Sequence, residues 1–186
     1  MTSSTEVAAE VTAALRSLRG IWDEETVDEF DHAMQAGWRA RADGADDELV
    51  LAAVLHDVAR SPLVPGGEPH DRSAHEWLTP RLGVRVGWLA GAHVAAKRYL
   101  AATESGYAAR LSDTSVVSLA YQGGVGAVDA SWTVHPWWPD AVQLRRYDDA
   151  AKVPGAPGMQ VAEVEILVER IADRSAGARR PDSGSW

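Results

Sequence analysis

The segment VLAAVLHDVARSP, from Val50 to Pro62, decides how this chain folds. Its unbroken apolar run is typical of a helix that is buried on all sides. Asp46 and Asp47 precede the run, and acidic side chains stabilise the N-terminal end of a helix. We therefore predict a helix through ELVLAAVLHDVAR, which ends before Pro62. Its polar pair His56 and Asp57 is tolerated in a core only if the two side chains satisfy each other or bind something.

Outside this segment, apolar side chains recur every three or four residues, as in amphipathic helices. No stretch alternates polar and apolar residues, so we predict an all-α protein. Further helices are expected over 5–19, 26–42, 70–82, 84–100, 105–120, 139–152 and 158–173. The Trp-rich segment TVHPWWPD is expected to be a surface loop or to pack as a plug.

The length of 186 residues suits one domain with a sizeable core. We place that domain at residues 1–174 and predict that residues 175–186 form a disordered tail. The net charge of −9 argues against nucleic acid as a partner. No charged and then apolar leader begins the chain, and no apolar run approaches the roughly 20 residues of a membrane span. A cytoplasmic protein is therefore expected.

Histidine and acidic side chains are the candidate metal ligands, because the absence of cysteine excludes thiolate sites. His32, His56 and His93 lie on predicted helices, and His70 begins one. Imidazoles combined with carboxylates suit iron, manganese or zinc. Each histidine taken alone is more often a surface residue or a satisfied core residue than a ligand.

Three cations lie one helical turn from candidate ligands: Arg60 after His56, Lys97 after His93, and Arg145 before Asp148. Residues three or four apart share a helix face, so this arrangement favours a site that binds an anion beside a metal. The alternative is that Arg60 and Lys97 are exposed at helix ends and that Arg145 pairs with Asp148 or Asp149.

The order of these residues resembles the HD-domain superfamily, and more specifically the PhnZ-type HD-domain diiron oxygenases. The resemblance runs from about residue 20 to residue 157 and is carried by DGADDELVLAAVLHD, GAHVAAKRYL, YAARLSDTS, YQGG and KVPG. HVAAKRYL and YQGG are its most specific motifs, since most HD phosphohydrolases lack them.

This resemblance implies a helical HD-domain bundle that encloses a dinuclear metal site, with two irons about 3.5–4 Å apart. The implied active form is a mixed-valent Fe(II)/Fe(III) pair that uses O2 as co-substrate, with Asp57 bridging the irons. The implied ligands are His32, His56, Asp57, His70, His93 and Asp148. Of the remaining histidines, His75 and His135 match no ligand of the family.

The implied reaction is oxidative cleavage of the carbon–phosphorus bond of a small anionic 1-hydroxyalkylphosphonate, which gives phosphate and a carboxylic acid. Substrates with a 2-amino or a 2-trimethylammonio group are the expected kind. The implied phosphonate contacts are Lys97, Ser115 and Arg145, with Gln122 nearby, whereas Glu25 matches a position that recognises the amino end.

Two positions depart from the family pattern and put the exact substrate in question. Arg60 replaces a histidine of the phosphonate site, although arginine still binds anionic oxygens. Trp22 replaces a tyrosine that can ligate iron, and it is expected instead to line the substrate pocket.

Two other functions remain as alternatives. One is a metal-dependent HD phosphohydrolase of a phosphomonoester or nucleotide, which Arg60 favours weakly. The other is a helical binding protein with a relict site, which the intact ligand set disfavours.

Overall fold

The computed structural model of the chain describes residues 2–22, 26–67, 69–126 and 128–178. Helices are the only regular elements in these ranges, so the predicted all-α class is confirmed. The helices are α1 (Ser4–Arg16), α2 (Glu29–Ala42), α3 (Asp47–Leu55), α4 (His70–Leu82), α5 (Val84–Thr103), α6 (Asp113–Tyr121), α7 (Ala130–Thr133), α8 (Trp138–Ala150) and α9 (Val161–Ala178). Across the described ranges, none of these helices has the length and apolar character needed to span a bilayer.

Helix α3 lies at the centre of the bundle and contacts α2, α5, α8 and α9. Every residue from Leu49 to Leu55 is buried, as its apolar sequence predicts. Asp46 caps the helix, because its side chain accepts hydrogen bonds from the backbone N–H groups of Glu48 and Leu49. The residues that follow α3 are therefore delivered into the middle of the protein.

The end of α3 differs from the prediction, which continued the helix to Arg60. The α-helix ends at Leu55, Asp57 has φ −103° and ψ 15°, and Val58–Arg60 form one 3₁₀ turn. Pro62 contributes to this ending because it favours an extended residue before it, and Ser61 has ψ 133°. The break lets Asp57 approach His56, since consecutive side chains of an unbroken helix point about 100° apart.

Helices α4 and α5 form a tight antiparallel pair. Gly83 joins them with φ 95°, a conformation that favours glycine. Gly87 lies against α4 so closely that a Cβ atom there would be 2.1 Å from Thr79 Oγ1. Helix α5 continues to Thr103, beyond the predicted end at Leu100.

The segment predicted as a helix over 105–120 forms a 3₁₀ turn at Ala108–Arg110 and then α6. The Trp-rich segment packs against α5. Its His135 ring stacks on Trp88 with ring centroids 4.0 Å apart, and Trp138 is buried at the start of α8.

Helix α9 packs on α1 and extends to Ala178, so it enters the segment that was predicted as a tail. Residues 179–186 lie outside the described residues. The single domain at 1–174 stays a prediction.

Candidate metal centre

Five elements bring the six predicted ligands together, and all six residues are buried. His32 is on α2, His56 and Asp57 follow α3, His70 is the first residue of α4, His93 is in α5, and Asp148 is in α8. Five of them, all except Asp148, form two groups that could each hold a metal ion, and Asp57 belongs to both.

The first group surrounds His32 and His56, whose Nε2 atoms are 3.2 Å apart. Asp57 Oδ2 is 3.2 Å from His56 Nε2. Asp148 closes the group, with Oδ1 3.4 Å from His32 Nε2 and Oδ2 3.5 Å from His56 Nε2.

The second group surrounds His70 and His93, whose Nε2 atoms are also 3.2 Å apart. Asp57 Oδ1 is 3.1 Å from His70 Nε2 and 3.7 Å from His93 Nε2. The two carboxylate oxygens of Asp57 therefore face different histidine pairs, which is the geometry that a bridging ligand requires.

Backbone carbonyls fix the proton positions on three of the histidines. The Nδ1 atoms of His32, His56 and His93 are 3.0, 2.8 and 2.6 Å from the carbonyl oxygens of Ala151, Ala53 and Ala90 respectively. A carbonyl only accepts, so each Nδ1 donates and each neutral ring presents an Nε2 lone pair to the cluster. Metal-ligating histidines are oriented in the same way, so this donor set fits cations.

Burial and neighbouring charges shift the pKa values of the clustered side chains in different directions. Burial opposes the charged form of His56, but Asp57 and Asp148 outweigh it and raise the pKa of His56 from 6.5 to about 9. Burial dominates at His93 and lowers its pKa well below the ordinary value. Burial would raise the pKa of Asp57, but the charge and hydrogen bond of His56 hold it well below its usual range.

Arg145 on α8 is buried beside the cluster. Its Nη1 donates a 2.6 Å hydrogen bond to Asp148 Oδ2, and its other donors reach Asp149 and the hydroxyl of Tyr107. Despite burial, Arg145 and His56 hold the pKa of Asp148 well below its ordinary value. The alternative pairing predicted for Arg145 is therefore present, and the same side chain also lines the cavity described below.

Lys97 lies inside helix α5 and is only 4% exposed, so the alternative of an exposed helix end is wrong for this residue. Its Nζ donates a 2.8 Å hydrogen bond to Ser118 Oγ on α6. Burial and the neighbouring Arg145 lower the pKa of Lys97 to about 8. It thus carries a positive charge at neutral pH in a place from which water is largely excluded.

Sequence reasoning did not assign several residues that surround the same cavity: Glu29, Thr114, Ser118 and Lys152. Lys152 follows α8 and donates a 2.8 Å hydrogen bond to Ser115 Oγ. Its position within the KVPG motif was the available signal for this residue. Glu29 precedes His32 by one helical turn, so the two residues share a face of α2, and Glu29 is buried.

The cavity has a volume of about 50 Å³. Its described walls also include His32, Asp57, Arg60, His70, His93, Lys97, Ser115, Gln122, Arg145 and Asp148. Arg60 Nε is 3.4 Å from Asp57 Oδ1, and Gln122 Oε1 is buried with no hydrogen-bond donor among the described residues. One small space therefore adjoins both the histidine pairs and the cationic side chains.

The structure does not bring Trp22 into this space. Its side chain is 62% exposed, and the described walls do not include it. Just before Trp22, the carbonyl of Ile21 accepts a hydrogen bond from the backbone N–H of Glu29. Glu25 lies outside the described residues.

His75 packs against Gly91 of α5, and His135 stacks on Trp88, so neither histidine belongs to the cluster.

Buried imidazole and carboxylate groups in an all-helical bundle define a metalloprotein of the HD-domain class. No family model matches the chain. The chain is 33% identical over 163 residues to hydroxymethylphosphonate dioxygenase of Gimesia maris, which covers 82% of this chain and 81% of that protein. It is 28% identical over 164 residues to the glycine-betaine-forming 1-hydroxy-2-(trimethylamino)ethylphosphonate dioxygenase of Leisingera caerulea, covering 83% and 84%. The chain belongs to this PhnZ-type family of phosphonate dioxygenases, an enzyme family whose activity requires O2.

Proposed function

We propose that this enzyme cleaves the carbon–phosphorus bond of a 1-hydroxyalkylphosphonate with O2 and releases phosphate and a carboxylic acid. The observation that carries the proposal is the shared cavity, in which the histidine and aspartate cluster meets four cationic side chains. The relatives are named as dioxygenases of hydroxymethylphosphonate and of a trimethylamino analogue, which supports the same substrate class for this chain.

We assign the metal ligands as His32, His56, Asp57, His70, His93 and Asp148, with Asp57 between two iron ions. The support is a sulfur-free donor set with inward Nε2 lone pairs, which suits iron. When bound, a mixed-valent Fe(II)/Fe(III) pair would supply the oxygen activation and redox chemistry that no side chain of this site provides. The residues around it hold the substrate in place for that chemistry.

The phosphonate group is bound by the cations Lys97, Arg145 and Lys152 and by the hydroxyl of Ser115. Hydrogen bonds between cationic donors and an anionic oxygen are about twice as strong as neutral ones. Because Lys97 and Arg145 are buried, their attraction for an anion is screened less than at an exposed surface. Arg60 and the buried amide oxygen of Gln122 lie on the remaining wall, where they face the carbon end of the substrate.

The proposed reaction balances without an external reductant. The substrate R–CH(OH)–PO3H2 and one O2 give R–COOH and H3PO4, in which the C–P bond is broken and the carbon is oxidised to the carboxylic acid. One O2 must therefore disappear for each phosphate released.

An oxygen electrode and a phosphate assay test this stoichiometry. The chain is loaded with iron anaerobically and then mixed with hydroxymethylphosphonate in air-saturated buffer, with methylphosphonate as the control that lacks the hydroxyl. The expected result is one O2 consumed per phosphate and an Fe(II)/Fe(III) EPR signal that shifts on addition of substrate. Phosphate release from a phosphomonoester without O2 would instead establish the HD phosphohydrolase that Arg60 favours.

A further inference from the structure

A second, larger space adjoins the site cavity. This outer cleft has a volume of about 650 Å³, against about 50 Å³ for the inner cavity. The two spaces share the walls Arg60, His70, Thr114, Ser118 and Gln122. A molecule held in the inner cavity therefore has only one set of side chains between it and the outer cleft.

The two spaces differ in chemistry. The cations Lys97, Arg145 and Lys152 line the inner cavity and not the outer cleft. In contrast, the described residues that line the outer cleft alone are Pro69, Val117 and Tyr121, and none of them carries a charge. An elongated ligand with an anionic head and an uncharged tail matches this polarity.

Helix α6 forms the apolar wall of the outer cleft. Thr114, Val117, Ser118 and Tyr121 recur at helical spacing on one face, whereas only Ser115 and Leu119 of this helix are buried. Val117 is 55% exposed and Tyr121 is 89% exposed, so both present apolar surface that a ligand could cover. The bond from Lys97 to Ser118 fixes this face beside the inner cavity.

We propose that the outer cleft binds an uncharged alkyl or aryl substituent on C1 of the substrate. The inference rests on the proposed function, because that function places the phosphonate among the inner cations and leaves C1 directed outward. An ammonium tail does not fit, since Arg60 stands at the junction of the two spaces. A carboxylate tail would meet one cation in the outer cleft, Arg60, whose guanidinium already pairs with Asp57.

Calorimetry with unreactive phosphonates tests the cleft separately from catalysis. Methylphosphonate, butylphosphonate and benzylphosphonate lack the C1 hydroxyl and are titrated into the iron-loaded full chain under anaerobic conditions. Each fully buried methylene strengthens binding about fourfold. Because the cleft is partly open, we expect butylphosphonate and benzylphosphonate to bind roughly tenfold more tightly than methylphosphonate.

Matched valine variants locate this gain in affinity. Val117→Trp fills the outer cleft and should bring the ratio of the methyl to the butyl dissociation constants close to one. Val116→Trp makes the same change one residue away, at a 46% exposed position that does not line the cleft, and should preserve the ratio. Tyr121→Ser, which removes an 89% exposed ring, should lower the ratio without the bulk of a new indole.

Equal affinities of the wild type for methyl- and butylphosphonate would overturn the proposal. So would an equal loss, in both tryptophan variants, of the ratio of the methyl to the butyl dissociation constants. The third contradicting result is tighter binding of 4-aminobutyl- or 3-carboxypropylphosphonate than of butylphosphonate. Turnover of hydroxymethylphosphonate with O2 uptake is measured on the same preparation. Tight butylphosphonate binding without that turnover would contradict the proposed reaction and leave the cleft assignment standing. Turnover of hydroxymethylphosphonate without an effect of chain length on affinity would support the proposed reaction and contradict the cleft assignment.

Discussion

Nε2 of His70 lies 3.1 Å from Oδ1 of Asp57, and this contact joins the two histidine pairs into one cluster. The other oxygen of Asp57 faces the first pair, so the carboxylate belongs to both groups of candidate ligands. The early end of α3 makes this possible, because it frees Asp57 from the helical path that His56 still follows. A single residue thus holds a position on which both proposed metal ions depend.

Replacement of Asp57 by alanine should therefore abolish loading of both irons, whereas loss of a histidine from one pair should spare the other site in part. Metal content per chain after anaerobic reconstitution, measured by mass spectrometry, checks this. His75→Ala is the matched control, because His75 packs on Gly91 outside the cluster. Retention of one tightly bound iron by a folded Asp57→Ala protein would contradict the bridging role.

The class of fold and the identity of the buried cluster could be predicted from the sequence. Helical periodicity gave every long helix, and the apolar run before His56 predicted a helix that is buried on all sides. The six ligands were predicted from the resemblance to the PhnZ-type family, by their positions relative to its motifs. The same logic separated His70 from His75, which lies on the same helix and packs elsewhere.

Features that depend on tertiary packing could not be predicted in this way. The helix break at Asp57 combines a local turn with contacts to α4, so the sequence pattern alone extended the helix to Arg60. Lys152 lies beyond the end of α8 at Ala150, although the predicted helix over 139–152 included it, and its bond to Ser115 joins segments far apart in the sequence. Trp22 was assigned by position in a motif, but its side chain is exposed.

His56 should make the metal-free protein less stable as the pH rises. Its pKa is raised in the fold from 6.5 to about 9, so its contribution is complete below pH 6.5 and is lost as the pH rises through 9. The difference corresponds to up to about 3 kcal/mol. Chemical denaturation of chelator-treated protein at several pH values between these limits measures the effect.

Two comparisons isolate that titration. His56→Gln should be less stable overall but should lack the additional slope between pH 6.5 and 9. The iron-loaded protein should also lack most of this pH dependence of stability, because a bound cation replaces the proton on the His56 ring. An identical slope in the variant and the wild type would show that another group is responsible.

Lys97 should set the upper pH limit for phosphonate binding. Burial and Arg145 lower its pKa to about 8, so the ammonium that binds the anion is lost as the pH rises through that value. Loss of a charge-assisted hydrogen bond should weaken methylphosphonate binding by roughly tenfold or more between pH 7 and 9. Calorimetric dissociation constants measured across this range test the expectation.

Lys97→Arg is the informative control for this titration, because a guanidinium stays charged throughout the range. Its affinity should not fall above pH 8, even if it is weaker at neutral pH. The phosphonate itself gains negative charge as the pH rises, which acts in the opposite direction in both proteins. A parallel pH profile for the two proteins would therefore remove Lys97 from the binding site.

Lys152→Met should weaken phosphonate binding while leaving iron content unchanged. Lys152 donates to Ser115 at the inner cavity, and its charge helps to lower the pKa of Asp148, but it does not belong to either histidine group. Removal of one partly buried cation should raise the dissociation constant for methylphosphonate by roughly tenfold. Arg146→Met is the control, because it also removes one positive charge from the chain. Arg146 lies on α8 and forms an exposed ion pair with Glu104, so its loss should change the dissociation constant for methylphosphonate little. If both variants weaken binding equally, the overall charge of the protein, and not a contact made by Lys152, attracts the phosphonate.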